Sequence, residues 1–207
     1  KKEALQETAA FNHFVTQFAD IKILRYQIPG FADLSLKEKQ LVYYLTQAGL
    51  AGRDIMWDQN YRHNLSIRKG LESINQNYKG DRESDAFKSF KTFLKRVWFS
   101  NGIHHHYSND KLKPAFSEAY FTGELLQNSD TELSAEAIAV LFNDADAKKV
   151  NKKSGNDNIL SSAINFYAPD ITDQEVVDFY KTADKGPKGR PIEAGLNSKL
   201  VRENGIL

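Results

Sequence analysis

Residues 84–107 read SDAFKSFKTFLKRVWFSNGIHHHY. Phe87, Phe90, Leu94, Val97 and Trp98 recur at helical spacing, which predicts one apolar stripe on a helix over Asp85–Phe99. Ser84 stands where a side-chain oxygen would cap the first turn. Ser100-Asn101-Gly102 then breaks the pattern, and Gly102 is the residue expected to end the helix in the left-handed conformation, with Asn101 in the turn. Over residues 100–116, through His104, His105, His106 and Tyr107, the chain becomes a polar, aromatic-rich loop. So pronounced a helix, closed by so particular a loop, marks the first two-thirds of the chain as helical.

Working toward the amino end, Phe11, Phe14, Val15 and Phe18 fall at i, i+3, i+4 and i+7, the spacing of one helix face. Ser35-Leu36-Lys37-Glu38 has the form of a capping box. It opens a helix carrying Leu41, Tyr44, Leu45 and Ala48 that extends to about Asp54. A weaker helix is predicted over His63–Tyr78, from Leu65, Leu71 and Ile74. Toward the carboxyl end, helical pieces are expected over 116–127 and 134–149, followed by a surface loop over Asn151–Asn158. The last third changes character. Ile159–Tyr167 and Gly195–Arg202 read as strands, and between them Thr172–Glu175 is a second capping box opening a helix to about Ala183. A breaker-rich loop covers Lys185–Pro191. Asn204-Gly205 is a hairpin signal. A hairpin calls for a returning strand, so the pattern leads one to expect sequence beyond Leu207.

The expected architecture is therefore α+β: a mainly helical first 150 residues packed on a few strands of an incomplete sheet or small barrel. The 207 residues form one region, helical over 1–150 and mixed over 151–207. A formal charge of +1, from 28 basic and 27 acidic side chains, gives no general attraction to nucleic acid. No apolar run approaches the ~20 residues of a membrane span. Cysteine is absent, so any metal site would have to use His, Asp and Glu.

Several side chains could carry chemistry. Along an extended backbone neighbouring residues face opposite ways, so only His104 and His106 of the triplet could share a ligand sphere. Neither His13 nor His63 completes a set by spacing. The other reading of the triplet is a polar loop whose imidazoles bond backbone and stack on aromatics. Asn101 has both donor and acceptor for an extended peptide. Gly102 would let a ligand backbone approach closely. Ser100 and Tyr107 could serve the same face. Asp54 and Asp58 sit four apart and read as a solvated helix face rather than an acid/base pair, with Arg53 in salt bridges nearby. Asn165 and Asn197 fall within the predicted strands and carry no assigned chemistry.

The segment Val97–Tyr107 resembles the matching segment of the dipeptidyl peptidase III family, zinc exopeptidases that remove dipeptides from the amino end of short peptides. The bacterial, Bacteroides-like members are the most similar. The likeness runs nearly collinearly over residues 8–205. It is carried also by Phe18–Gln27 with Pro29-Gly30-Phe31, Leu41–Ala48, Gly52–Ile55, Asp58–Asn60, Ala163–Tyr167 and Gly195–Val201. It is weakest over 117–157. The family's His-Glu-x-x-Gly-His zinc motif does not occur in this chain. The resemblance thus implies the amino-terminal part of the lower lobe of such an enzyme, inactive by itself. Ser100, Asn101, Gly102 and Tyr107 would then bind the peptide substrate, and zinc would be bound by residues outside this chain. The remaining catalytic lobe of the same polypeptide would be its partner. Two alternatives from other classes stand beside this one: a free-standing helical peptide- or protein-binding module, and a hydrolase acting through the histidine loop.

Overall fold

The computed structural model describes residues 11–143, 148–183 and 198–207. The chain is α+β and mostly helical, and it divides into two units, Lys1–Ala51 and Gly52–Leu207.

The first unit departs from the helix expected at Phe11–Phe18. Strand β1 (Phe14–Phe18) pairs antiparallel with β2 (Ile21–Leu24), in the register Phe14 with Leu24 and Phe18 with Ile21. Four apolar residues fit a helix face, but Val15, Thr16, Ile21 and Ile23 are β-branched and favour a pleated surface. Only two residues separate the strands, and Ala19 takes φ 47° to make so tight a reversal. Helix α1 (Leu36–Ala51) starts as predicted. The Ser35 amide donates to Glu38 Oε2 at 2.8 Å and the Glu38 amide to Ser35 Oγ at 3.4 Å. No residue of α1 is buried.

In the second unit α2 (Arg53–Asn60), α3 (Asn64–Asn77) and α4 (Asp85–Ser100) come first. Then α5 (Glu118–Tyr120) runs on as a π-helical segment (Phe121–Leu126) and a 3-10 turn (Gln127–Ser129). Two further helices follow, α6 (Ala135–Phe142) and α7 (Asp173–Thr182). The stripe of α4 forms the centre of the core. Phe87, Phe90, Leu94 and Val97 pack with Ile67, Leu71 and Ile74 of α3 and with Phe121 and Leu125, all at 1% exposure or less. Each such side chain contributes about 1.5–3 kcal/mol by leaving water. Trp98, counted in the stripe by spacing, is 40% exposed instead.

Neither predicted strand of the last third forms a strand among the described residues. Residues 157–162 form a turn, because the Asp157 carboxylate accepts the amides of Ile159 at 3.0 Å and Leu160 at 2.9 Å. Among the described residues, pairing in this region consists of single parallel bridges, Lys148 with Ser162 and Tyr167 with Leu200. Of the strand expected at Gly195–Arg202, the described part keeps only that bridge at Leu200; residues 195–197 and the loop at Lys185–Pro191 lie outside the described residues. Asn204-Gly205 does turn the chain. Their φ values of 52° and 82° and a mutual pair of backbone bonds between Glu203 and Ile206 make a two-residue reversal.

Candidate peptide-binding site

The site is built at the carboxyl end of α4. The Gly102 amide bonds back to the Val97 carbonyl at 3.1 Å and the Asn101 amide to Trp98 at 3.3 Å, a Schellman closure. The left-handed residue is Asn101, at φ 51° and ψ 43°, and not Gly102 as the sequence pattern suggested. Asn tolerates this region because its short side chain bonds locally. Gly102 is needed for a second reason. At φ +149° it passes under the Asn64 amide, and a Cβ there would lie 2.3 Å from Asn64 Nδ2. The expectation that Gly102 admits a ligand backbone is therefore corrected: the space it leaves is filled by Asn64.

Asn64 is fully buried and ties three segments together. Its Nδ2 donates to the Trp57 carbonyl at 3.1 Å, and its Oδ1 accepts the Ile103 amide at 3.1 Å. Asn60 Nδ2 donates to the Asn101 carbonyl at 3.1 Å. The backbone of residues 101–103 is thus fixed by two asparagines near the end of α2 and the start of α3. Their signal in the sequence was faint, since Asn is common wherever helices start and stop.

Asn101 sits on the rim of a cleft of about 310 Å³ with Trp57, Trp98, Arg53, Arg68 and Glu72. Arg68 lies over the Trp57 ring at 5.1 Å and holds Asp54 through bonds of 2.7 and 3.3 Å. The Arg68 guanidinium bonded to it keeps the Asp54 carboxyl below the usual carboxylate range. Arg53 is the weaker neighbour of Asp54, at 3.7 Å. Trp98 Nε1 donates to Glu72 Oε1 at 2.9 Å. Glu72, Asp54, Trp98 Nε1 and the terminal nitrogens of Arg68 are bonded within this wall, whereas the Asn101 side-chain amide makes no hydrogen bond among the described residues.

Of the other sequence candidates, Ser100 is buried at 5% exposure and faces the interior. Tyr107 is 84% exposed and lies outside the cleft, its ring 4.5 Å from His106. No protein-family model matches the chain, and no curated protein matches it.

The histidine loop follows the polar, stacked reading. His104 is buried against Tyr61, ring centroids 5.4 Å apart. His105 Nδ1 accepts the amides of Tyr107 and Ser108 at 3.2 Å each, which leaves its ring proton on Nε2. That turn brings the His106 ring beside His105, stacked at 4.3 Å, where strict alternation would have parted them. Among the described residues no three His, Asp or Glu side chains converge on one point. No chemical step through zinc is assigned to these residues. Among the described residues no helix is long and apolar enough to cross a membrane.

A second cavity, of about 530 Å³, opens between α2 and the segments at 165–166 and 198–199. Asn165, to which the sequence pattern assigned no chemistry, lies in it, buried at 8% exposure. Asn197 lies outside the described residues.

Proposed function

We propose that this chain is the substrate-cleft portion of a zinc-dependent dipeptidyl peptidase of the dipeptidyl peptidase III type, and that the cleft at the end of α4 holds the backbone of a short peptide. The collinear resemblance over residues 8–205 supports the family, and one observation supports the site. The helix closure fixes the Asn101 backbone at the rim of an aromatic cleft, and the donor and acceptor of its side-chain amide are uncommitted among the described residues. An extended peptide offers the matching pair, one carbonyl and one N–H. Trp57 and Trp98 supply apolar walls for a side chain. Ser100 and Gly102 act from beneath, as residues that position Asn101. Tyr107 would reach substrate only from the adjoining loop. In this design zinc and its ligands belong to sequence outside residues 1–207, and this portion binds and orients.

The test is titration of the chain with an unblocked tetrapeptide, followed by calorimetry and by indole fluorescence. Asn101→Gly keeps the left-handed backbone and removes the amide. Loss of two hydrogen bonds should weaken binding roughly tenfold with the melting temperature nearly unchanged. Equal affinity for parent and variant, or no peptide binding by the parent, would sink the assignment.

A second reading, a helical protein-binding module without catalysis, is favoured by α1. Leu41, Val42, Tyr43, Tyr44 and Leu45 of that helix are all more than 40% exposed.

A further inference from the structure

We propose that the cavity between α2 and residues 165–166 and 198–199 is a binding site for a free α-amino acid with an apolar side chain, separate from the peptide cleft. Its floor is the buried Asn165, whose backbone N–H donates to the Gln59 carbonyl at 2.8 Å. The Asn165 side chain is oriented by charge at both ends. Lys199 Nζ donates to Oδ1 at 2.6 Å, and Nδ2 donates to Asp58 Oδ1 at 3.4 Å. Among the described residues neither Lys199 nor Asp58 meets an opposite charge, so a cation and an anion face the same cavity across one amide. Ile55, Leu65 and Phe166 form the apolar part of the wall.

The complement of that arrangement is a small zwitterion. Its ammonium would donate to Asp58, its carboxylate would accept from Lys199, and its side chain would lie against Ile55, Leu65 and Phe166. The spacing selects among zwitterions. One amide group and two hydrogen bonds span the interval from Asp58 to Lys199. The two charges of a free amino acid are one carbon apart and fit that interval. The termini of a peptide move apart by more than ~3 Å with each added residue. A cavity of about 530 Å³ is within the range of small-molecule sites.

The experiment is calorimetric titration of the chain with L-leucine, N-acetyl-L-leucine, L-leucinamide and leucyl-leucine. L-Leucine is expected to bind saturably. The acetylated and amidated forms, each lacking one charge, should bind roughly tenfold more weakly or less, and leucyl-leucine more weakly than leucine. Asp58→Asn and Lys199→Met change exposed side chains, so each variant should fold as the parent does and lose leucine binding about tenfold or more. Asn101→Gly should leave leucine binding intact, which separates this site from the peptide cleft. Absence of saturable leucine binding in the parent overturns the proposal. Equal binding of the acetylated or amidated form, or parent-like binding by both charge variants, overturns it too. Tighter binding of leucyl-leucine reassigns the cavity to peptides and overturns the amino-acid assignment.

Discussion

Gly102 and Asn64 are the pair on which the α4 closure turns. A Cβ at Gly102 would occupy the position of the Asn64 amide, and φ +149° is itself unfavourable to any other residue. Gly102→Ala should therefore cost about 2–4 kcal/mol, by strain and by displacing a buried amide. Asn64→Ala removes two hydrogen bonds and leaves the buried Ile103 N–H unpaired, at about 1–3 kcal/mol. Because both changes act on one contact, the double variant should be less destabilised than the sum of the singles. Urea unfolding of the four proteins measures this, and strict additivity would show that the contact is not shared. The sequence singled out Gly102 and Asn101 correctly as special, since a Gly after a strong stripe signals a backbone demand. It reversed which of them is left-handed. Spacing alone cannot reveal Asn64, which reaches Ile103 from 39 positions away.

Among the elements, those with side-chain caps were the most legible. Ser84, Thr172 and Ser35 each accept the predicted amide, because capping is decided within four residues and needs no tertiary partner. The amino-terminal hairpin was misread for the opposite reason. Four apolar residues at helical spacing are too few to fix a period, and the β-branched content that argues for a strand is a weak preference. Helix α7 carries one source of pH dependence. The Thr172 backbone amide, then Arg202 and the Thr172 hydroxyl, lower the Glu175 carboxyl to about 2 from an ordinary 4.5. A carboxyl whose folded value is depressed stabilises the fold fully above its unfolded value. That contribution fades as pH falls from about 4.5 through about 2. Glu175→Gln should flatten this part of the stability–pH curve and leave the slope elsewhere as it was. Chemical unfolding between pH 2 and 6 reads the difference, and parallel curves for parent and variant would refute the linkage.

At the scale of the molecule, the main core lies in one place. The cluster from Trp57 to Ala163 is drawn wholly from the second unit and centres on the α4 stripe quoted from the sequence. A stripe of this strength is legible because burial of large aromatics dominates every local preference. The strands expected after residue 158 were less legible, since carboxylates such as Asp157 claim backbone amides that a ladder would need. A unit that holds its own core should fold by itself. Residues 52–207 alone are therefore expected to unfold in one cooperative transition, with near- and far-ultraviolet dichroism changing together. Phe90 tests whether α4 is the centre. It is fully buried, with Phe87 at 5.5 Å and Phe116 at 6.0 Å between ring centroids. Phe90→Ala should cost about 3–5 kcal/mol in this unit, because neighbouring rings held by their own packing close a cavity poorly. Phe99, 40% exposed at the end of the same helix, provides the contrast: Phe99→Ala should cost under about 1 kcal/mol. Comparable losses at the two positions would mean that stability is not concentrated in the α4 stripe.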